Sequence, residues 1–219
     1  MILAIESAST DPSVAVAERD GEPLAVDGWS AGPGQGRELL PRLLAALERA
    51  ERDLSQTTAV AVGIGPGSFT GLRVGMSLAK GLAFGLRVPI VGIPSLAAWL
   101  AAEPDARAAL ARAGAHEAFV LVRGTPSAVI VHEDDLPDAI RSEPVAAPAE
   151  LAAALALAEG RPPLQAAAAV AALAAERLEV DGAGDDLRAL EPAYLRMPRG
   201  IRELPLETVK YGYSRPGRG

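Results

Sequence analysis

Apolar residues along this chain come first in short unbroken runs and then in longer stretches of helical period. Residues 2–5 (Ile-Leu-Ala-Ile) are continuously apolar, 13–18 largely alternate, and Asp20-Gly21 signals a hairpin before 24–26, so the first 28 residues read as a three-strand meander. Gly32-Pro33-Gly34-Gln35-Gly36 breaks the chain ahead of a helix running to Ala50. In that helix Leu39, Leu40, Leu43, Leu44 and Leu47 recur at helical spacing, opposite Arg42, Glu48, Arg49 and Arg52. The apolar run 59–64 predicts a buried strand, and after a glycine-rich turn helical period continues to Leu86. Residues 87–93 read as a turn and a strand, and Pro94-Ser95 opens another helix with Ser95 as its cap. The order is βββαβαβα, which predicts an α/β lobe with a mixed sheet between helices.

After residue 102 the pattern changes. Residues 104–114, rich in alanine and arginine, read as a helix; 118–122 and 128–131 read as strands joined by Gly124-Thr125-Pro126-Ser127. Two alanine-dominated helices, 148–159 and 164–178, flank Gly160-Arg161-Pro162-Pro163 and predict a thin core for a second lobe, residues 103–219. The acidic run Glu133-Asp134-Asp135 reads as a solvated loop in preference to a cation site, and 181–185 as a turn. Trp99, on an Ala/Leu helix, reads as a packing residue.

The stretch Gly63-Ile64-Gly65-Pro66-Gly67-Ser68-Phe69-Thr70-Gly71 joins a strand to a helix. Its glycines permit close backbone approach, and Ser68 and Thr70 carry the oxygens that cap a helix start, where free N–H groups suit an anion. The spacing is neither that of a P-loop nor that of a dinucleotide fingerprint, so the residues alone leave a structural turn and a phosphate cradle both open. In the helix that follows, Gly71, Gly75, Ala79 and Ala83 form one small-residue ridge, with Ser77, Gly81 and Gly85 beside it. Gly75 and Gly81 each cost about 1 kcal/mol against alanine, which implies a neighbouring backbone packed close, from this chain or from a partner.

Composition narrows the chemistry. There is no cysteine, so disulfides, thiolate metal sites and cysteine nucleophiles are excluded. No apolar run approaches the ~18 residues of a bilayer span and no leader pattern opens the chain; the expectation is a cytoplasmic protein. A net charge of −7 argues against nucleic-acid binding over the whole surface. From Arg188 onward, however, Arg196, Arg199, Arg202, Lys210, Arg215 and Arg218 outnumber Glu191, Glu203 and Glu207, with Tyr194, Tyr211 and Tyr213 interleaved. That tail, and Arg196, Arg199 and Arg202 in particular, suits RNA by charge and stacking, or is simply a frayed terminus. His116 and His132 lie far apart in sequence without a ligand partner at i+3 or i+4, Ser68 lacks a nucleophile elbow, and no catalytic or metal set is expected.

Gly-Pro-Gly-Ser-Phe-Thr-Gly-Leu-Arg-Val-Gly at 65–75, followed by Ser77, Ala79, Lys80, Gly81 and Leu82, resembles the signature of the TsaB (YeaZ) family, a subunit of the bacterial machinery for threonylcarbamoyladenosine in tRNA. Three further pieces resemble it: Ile2-Leu3-Ala4-Ile5-Glu6-Ser7-Ala8-Ser9-Thr10, Glu38-Leu39-Leu40-Pro41, and Pro192-Ala193-Tyr194-Leu195-Arg196. The resemblance is good over residues 1 to about 100 and patchy afterwards. It implies an actin-like ATPase or sugar-kinase type α/β fold in two lobes, 1–102 and a divergent, reduced 103–219. In that superfamily the tip after the first strand holds a phosphate; here it is Glu6-Ser7-Ala8-Ser9-Thr10, without glycine, and Glu6 and Ser7, with Gly67, Ser68 and Thr70, are the candidate anion or nucleotide contacts. The tip can equally be a capped strand end. The family's Asp-Ala-Arg motif is expected on the first strand of the second lobe, where 118–123 reads Ala-Phe-Val-Leu-Val-Arg.

The resemblance further implies a non-catalytic scaffold that binds and activates the catalytic paralogue TsaD, which transfers threonylcarbamoyl to the adenosine next to the anticodon, with the ATPase subunit TsaE. TsaD carries a His-x-x-x-His metal pair that this chain lacks. The expected contact surface is Leu39, Leu40, Leu43, Leu47, Gly71, Leu72, Val74, Gly75, Leu78, Ala79 and Leu82, used with the paralogue or in a homodimer. No cofactor is expected on this chain alone, ATP or ADP being a matter for the complex, and tRNA is met through the complex. The alternatives are a small ATP-dependent phosphotransferase of the same superfamily and, last, a peptidase.

Overall fold

The computed structural model describes residues 1–31 and 36–193. The apolar runs of the first half become a five-stranded sheet: β1 (Ile2–Glu6), β2 (Ser13–Ala17), β3 (Pro23–Gly28), β4 (Ala59–Gly63) and β5 (Ile90–Ile93), in the order β3-β2-β1-β4-β5. β1 pairs antiparallel with β2 and β2 with β3, whereas β4 and β5 run parallel to β1. This is the mixed sheet of the α/β lobe expected. β1 and β4 are buried at every position, as their unbroken apolar runs require of central strands covered on both faces.

Two helices cover one face: α1 (Gly36–Arg49) and α2 (Phe69–Leu86) pack Leu39, Leu43, Leu47, Met76, Ala79 and Ala83 against Leu3, Ile5, Val14, Val16, Val60 and Val62. The other face departs from the sequence reading. The alanine helix α6 (Ala166–Asp181), assigned above to the second lobe, lies on the first sheet, with Ala167, Val170, Ala171 and Ala174 against Ala4, Ala15, Ala17, Ala59 and Ala61. Small residues on both sides let helix and sheet approach closely: a Cβ on Gly21 in the β2–β3 turn would fall 2.6 Å from the Ala172 Cα. The Ser13 hydroxyl accepts the Ala167 N–H at 3.0 Å and seats the helix start on β2.

α3 (Ser95–Ala102) leads to a second sheet of β6 (Ala108–Arg112), β7 (Glu117–Val122), β8 (Val129–His132), β9 (Pro144–Ala146) and β10 (Glu159–Arg161), in the order β10-β9-β6-β7-β8. Here the helix expected over 104–114 is instead the central strand β6. Its alanines favour a helix locally, but pairing with β7 on one side and β9 on the other overrides that weak preference. Asp105-Ala106-Arg107 stands directly before β6, so the Asp-Ala-Arg triplet is present at the first strand of this sheet, ahead of the segment where it was sought. The helix expected over 148–159 is cut to α5 (Ala149–Ala154) before β10, and α4 (Asp138–Ser142) and β9 were not read at all. Arg123, at the end of β7, donates to the carbonyls of Leu100, Glu103 and Ala106 at 2.8, 2.7 and 2.9 Å, closing the C-terminal end of α3.

After α6 the chain returns to the first sheet as a strap. Asp185 accepts from Arg177 and from the Gly92 N–H (2.7 Å), its own N–H goes to the Ile90 carbonyl (2.8 Å), and Leu187 and Leu190 join the core under α2. The strap ends where the Ala193 N–H meets the Ile64 carbonyl at 2.7 Å, beside the glycine-rich turn.

Candidate subunit interface

The glycine-rich turn carries β4 into α2 around the tip of β1. Three glycines, Gly63 at the end of β4, Gly67 in the turn and Gly75 in α2, each make room for one residue of that tip. A Cβ on Gly63 would lie 1.9 Å from Glu6 Oε2; on Gly75, 2.1 Å from Ser7 Oγ; on Gly67, 2.2 Å from the Ala8 carbonyl oxygen. The tip is threaded between strand, turn and helix, where no side chain fits. Hydrogen bonds complete the lock: Ser7 Oγ donates to the Gly71 carbonyl (2.9 Å), the Ser68 N–H to the Ala8 carbonyl (2.6 Å), and the Gly65 N–H to Ser95 Oγ (3.0 Å). Ser68 caps α2 by accepting from the Gly71 N–H at 3.2 Å.

This geometry corrects the candidate anion set. Glu6 and Ser7 are completely sealed from solvent. The N–H groups of Ser68 and Gly71 are spent on the β1 tip and the cap, and the space at Gly67 is filled by Ala8, so the cradle holds the chain's own backbone. Of the five, Ser68 and Thr70 are exposed and Gly67 is half-buried, whereas Glu6 and Ser7 do not reach the surface, which leaves the phosphotransferase alternative without its β1 contacts. Burial drives the Glu6 carboxyl up from its ordinary 4.5 to about 7, against the lowering effect of the Ala8 N–H, Ser95, the Ser7 N–H and Trp99.

The contact surface is corrected in the same way. Leu39, Leu43, Leu47, Leu72, Gly71, Gly75 and Ala79 all face inward and are buried by this chain, so the first small-residue ridge, with Ala83, is a helix–sheet contact and not a subunit contact. The second ridge behaves differently. Ser77, Gly81 and Gly85 are exposed, and a Cβ at Gly81 or Gly85 would meet nothing within 4 Å. No packing within the described residues accounts for these two glycines, each of which costs the isolated helix about 1 kcal/mol.

Apolar side chains also reach solvent on these two helices: Leu40 and Leu44 on α1 and, 75% exposed, Phe84 on α2. Val74, Leu78 and Leu82 are half-buried, and Val74 lies against Gly36, where α1 and α2 meet. At the C-terminal end of α2 an open cleft of about 420 Å³ is lined by Ala83, Phe84, Gly85, Arg87, Val88 and Leu187. The sequence reading missed Phe84; its signal was an aromatic residue three positions from Gly81, away from the buried ridge.

The remaining candidates fall elsewhere. Arg196, Arg199 and Arg202 lie outside the described residues. The two histidines, distant in sequence, are brought together by the β7–β8 hairpin: their rings stack with centroids 6.1 Å apart, and His116 Nδ1 lies 2.7 Å from Glu133 Oε1. Among the described residues no group of three or more His, Asp or Glu is placed to hold a metal ion, and no helix is long and apolar enough to cross a membrane.

Comparison with known proteins gives the chain its relatives. Residues 36–181 match the family model described as TsaD, tRNA N6-adenosine threonylcarbamoyltransferase. The tRNA threonylcarbamoyladenosine biosynthesis protein TsaB of Haemophilus influenzae is 45% identical over 62 residues, 28% of this chain and 26% of that protein. Its Escherichia coli namesake is 40% identical over 60 residues, and an uncharacterized protein of Mycobacterium tuberculosis is 36% identical over 100, 43% of this chain and 46% of that protein. The aligned parts thus span from about a quarter to under half of these relatives' lengths. Among solved structures, YeaZ from Pseudomonas aeruginosa superposes with a TM-score of 0.66 at 24% identity, covering 89% of this chain and 99% of that one, a likeness of fold.

Proposed function

As a member of the tRNA N6-adenosine threonylcarbamoyltransferase (TsaD) family, on its TsaB (YeaZ) branch, this chain has a role we propose to be that of a non-catalytic subunit in the biosynthesis of threonylcarbamoyladenosine in tRNA. It binds the catalytic paralogue TsaD through the outer face of α1 and α2 and holds it in its active form. The observation that carries this reading is the exposed Ser77–Gly81–Gly85 ridge, with Leu40, Leu44 and Phe84 exposed on the same pair of helices, which packing within the described residues does not use. A bare helical ridge admits a second helix at short distance, and the apolar flanks supply buried area.

The absence of catalysis on this chain is supported by the β1 tip. Where a phosphate-binding relative would leave donors free, Ser68 and Gly71 give their N–H groups to Ala8 and to the cap, and Glu6 and Ser7 are closed off. Nucleotide then belongs to the complex, with TsaE as its ATPase. In the absence of the paralogue the same ridge serves a homodimer. The basic tail of the sequence, with Arg196, Arg199 and Arg202, gives tRNA an added contact.

The reading is tested by reconstituting the modification with TsaD, TsaE, an adenylate donor and unmodified tRNA. Omitting this chain is expected to abolish the modified nucleoside, and this chain alone to form none. Equal yield without it overturns the proposal.

A further inference from the structure

Glu6 is a charged-type residue in a place built to exclude charge. Its side chain occupies the space a Cβ on Gly63 would fill, and it is turned toward α3. Oε1 accepts the Ala8 N–H at 2.7 Å, whereas Oε2 has no hydrogen-bond partner; nor does the buried indole Nε1 of Trp99, which lies in the same cluster. Acceptor and donor are thus both sealed and stand near enough for the indole to favour the carboxylate, yet neither closes a hydrogen bond, an arrangement that costs free energy and that a small movement would relieve.

No charge compensates the carboxyl. β2, β4 and α3 carry no titratable residue in their whole ranges, and what acts on Glu6 is the N–H of Ser7 and Ala8, the Ser95 hydroxyl and the Trp99 indole. On α2, which meets the tip through Gly71 and Gly75, Arg73 is exposed and Lys80 is turned to the Arg188 carbonyl. Asp11, the other buried carboxylate of this loop, is tied to the Ser30 hydroxyl at 2.6 Å. Trp99 also belongs to the second sheet's core: it packs with Ala106, Ala109, Ala111 and Phe119. Any shift of its indole therefore reaches both sheets.

We propose that Glu6 and Trp99 form a proton-operated joint between the two sheets: loss of the Glu6 proton to solvent leaves a carboxylate that takes the Trp99 indole N–H as donor, drawing α3 and the second sheet toward the β1 tip. The rise of the Glu6 carboxyl to about 7 puts this transition in the neutral range.

The chain has two tryptophans, so Trp29→Phe leaves Trp99 as the single indole reporter. In that background, Trp99 fluorescence and its indole ¹⁵N–H resonance, followed from about pH 5 to about pH 9, are expected to move in one step with a midpoint near 7. Adding Glu6→Gln is expected to abolish the step, and Glu6→Asp, which retains an acid on a shorter stem, to keep a step at a displaced midpoint. A flat Trp99 signal, or a step unchanged by either Glu6 substitution, overturns the proposal.

Discussion

Gly75 and Gly81 stand six residues apart on α2 and cost the same by intrinsic propensity, yet the structure gives them opposite reasons. At Gly75 a methyl group would collide with Ser7 Oγ and threaten its bond to the Gly71 carbonyl; at Gly81 it would meet nothing. Gly75→Ala is therefore expected to destabilise the isolated chain by about 1–3 kcal/mol, and Gly81→Ala to stabilise it by about 1 kcal/mol, in urea unfolding. Equal effects of one sign would show that the two ridges had been wrongly separated. Glu6 makes a second prediction at this scale. Its folded value lies above its unfolded one, so its contribution is fully present below about 4.5 and is lost as pH rises through about 7, to a limit of about 3 kcal/mol. The stability of Glu6→Gln relative to the parent should accordingly improve between about pH 5 and about pH 8; a difference independent of pH would show that Glu6 ionises normally.

At the scale of elements, legibility in the sequence follows how much of an element's burial is written into its own residues. β1, β4 and β5 are continuous apolar runs and α1 has a leucine stripe, so their type was evident. β6 was not, because Ala-Ala-Leu-Ala-Arg becomes a strand only through its neighbours β7 and β9. For α6 the helix was legible and its address was not: a helix of alanine looks alike whichever sheet it covers, and the matching alanines sit on β1, β2 and β4, far away in the chain. The glycine motif was legible as a place of close approach, but a partner's backbone and the chain's own β1 tip demand the same glycines, and only coordinates sort Gly63, Gly67 and Gly75 from Gly81 and Gly85. The close seating of α6 makes Ala171→Leu, fully buried, an overpacking change expected to cost about 1–3 kcal/mol, whereas Val180→Ala, at the exposed end of the same helix, should leave the thermal midpoint nearly unchanged. Tolerance of leucine at 171 would contradict the close helix–sheet contact.

For the whole molecule, the faces of the first sheet do different work. α6 seals one face with small residues; α1 and α2 seal the other and turn outward a strip that the described residues leave uncovered. The strap from Asp185 to Ala193 joins these two sides, since Arg177 of α6 grips Asp185 while Leu187 and Leu190 lie under α2 and Lys80 donates to the Arg188 carbonyl at 3.3 Å. The subunit role proposed above has the outer strip of α2 receiving another subunit. Sedimentation velocity of this chain mixed with TsaD tests it most directly, using Gly81→Leu together with Phe84→Asp and checking the fold by the thermal midpoint of the variant alone. The double variant is expected to stay folded and no longer to co-sediment with TsaD; a folded variant that still forms the complex would overturn the subunit role of this strip.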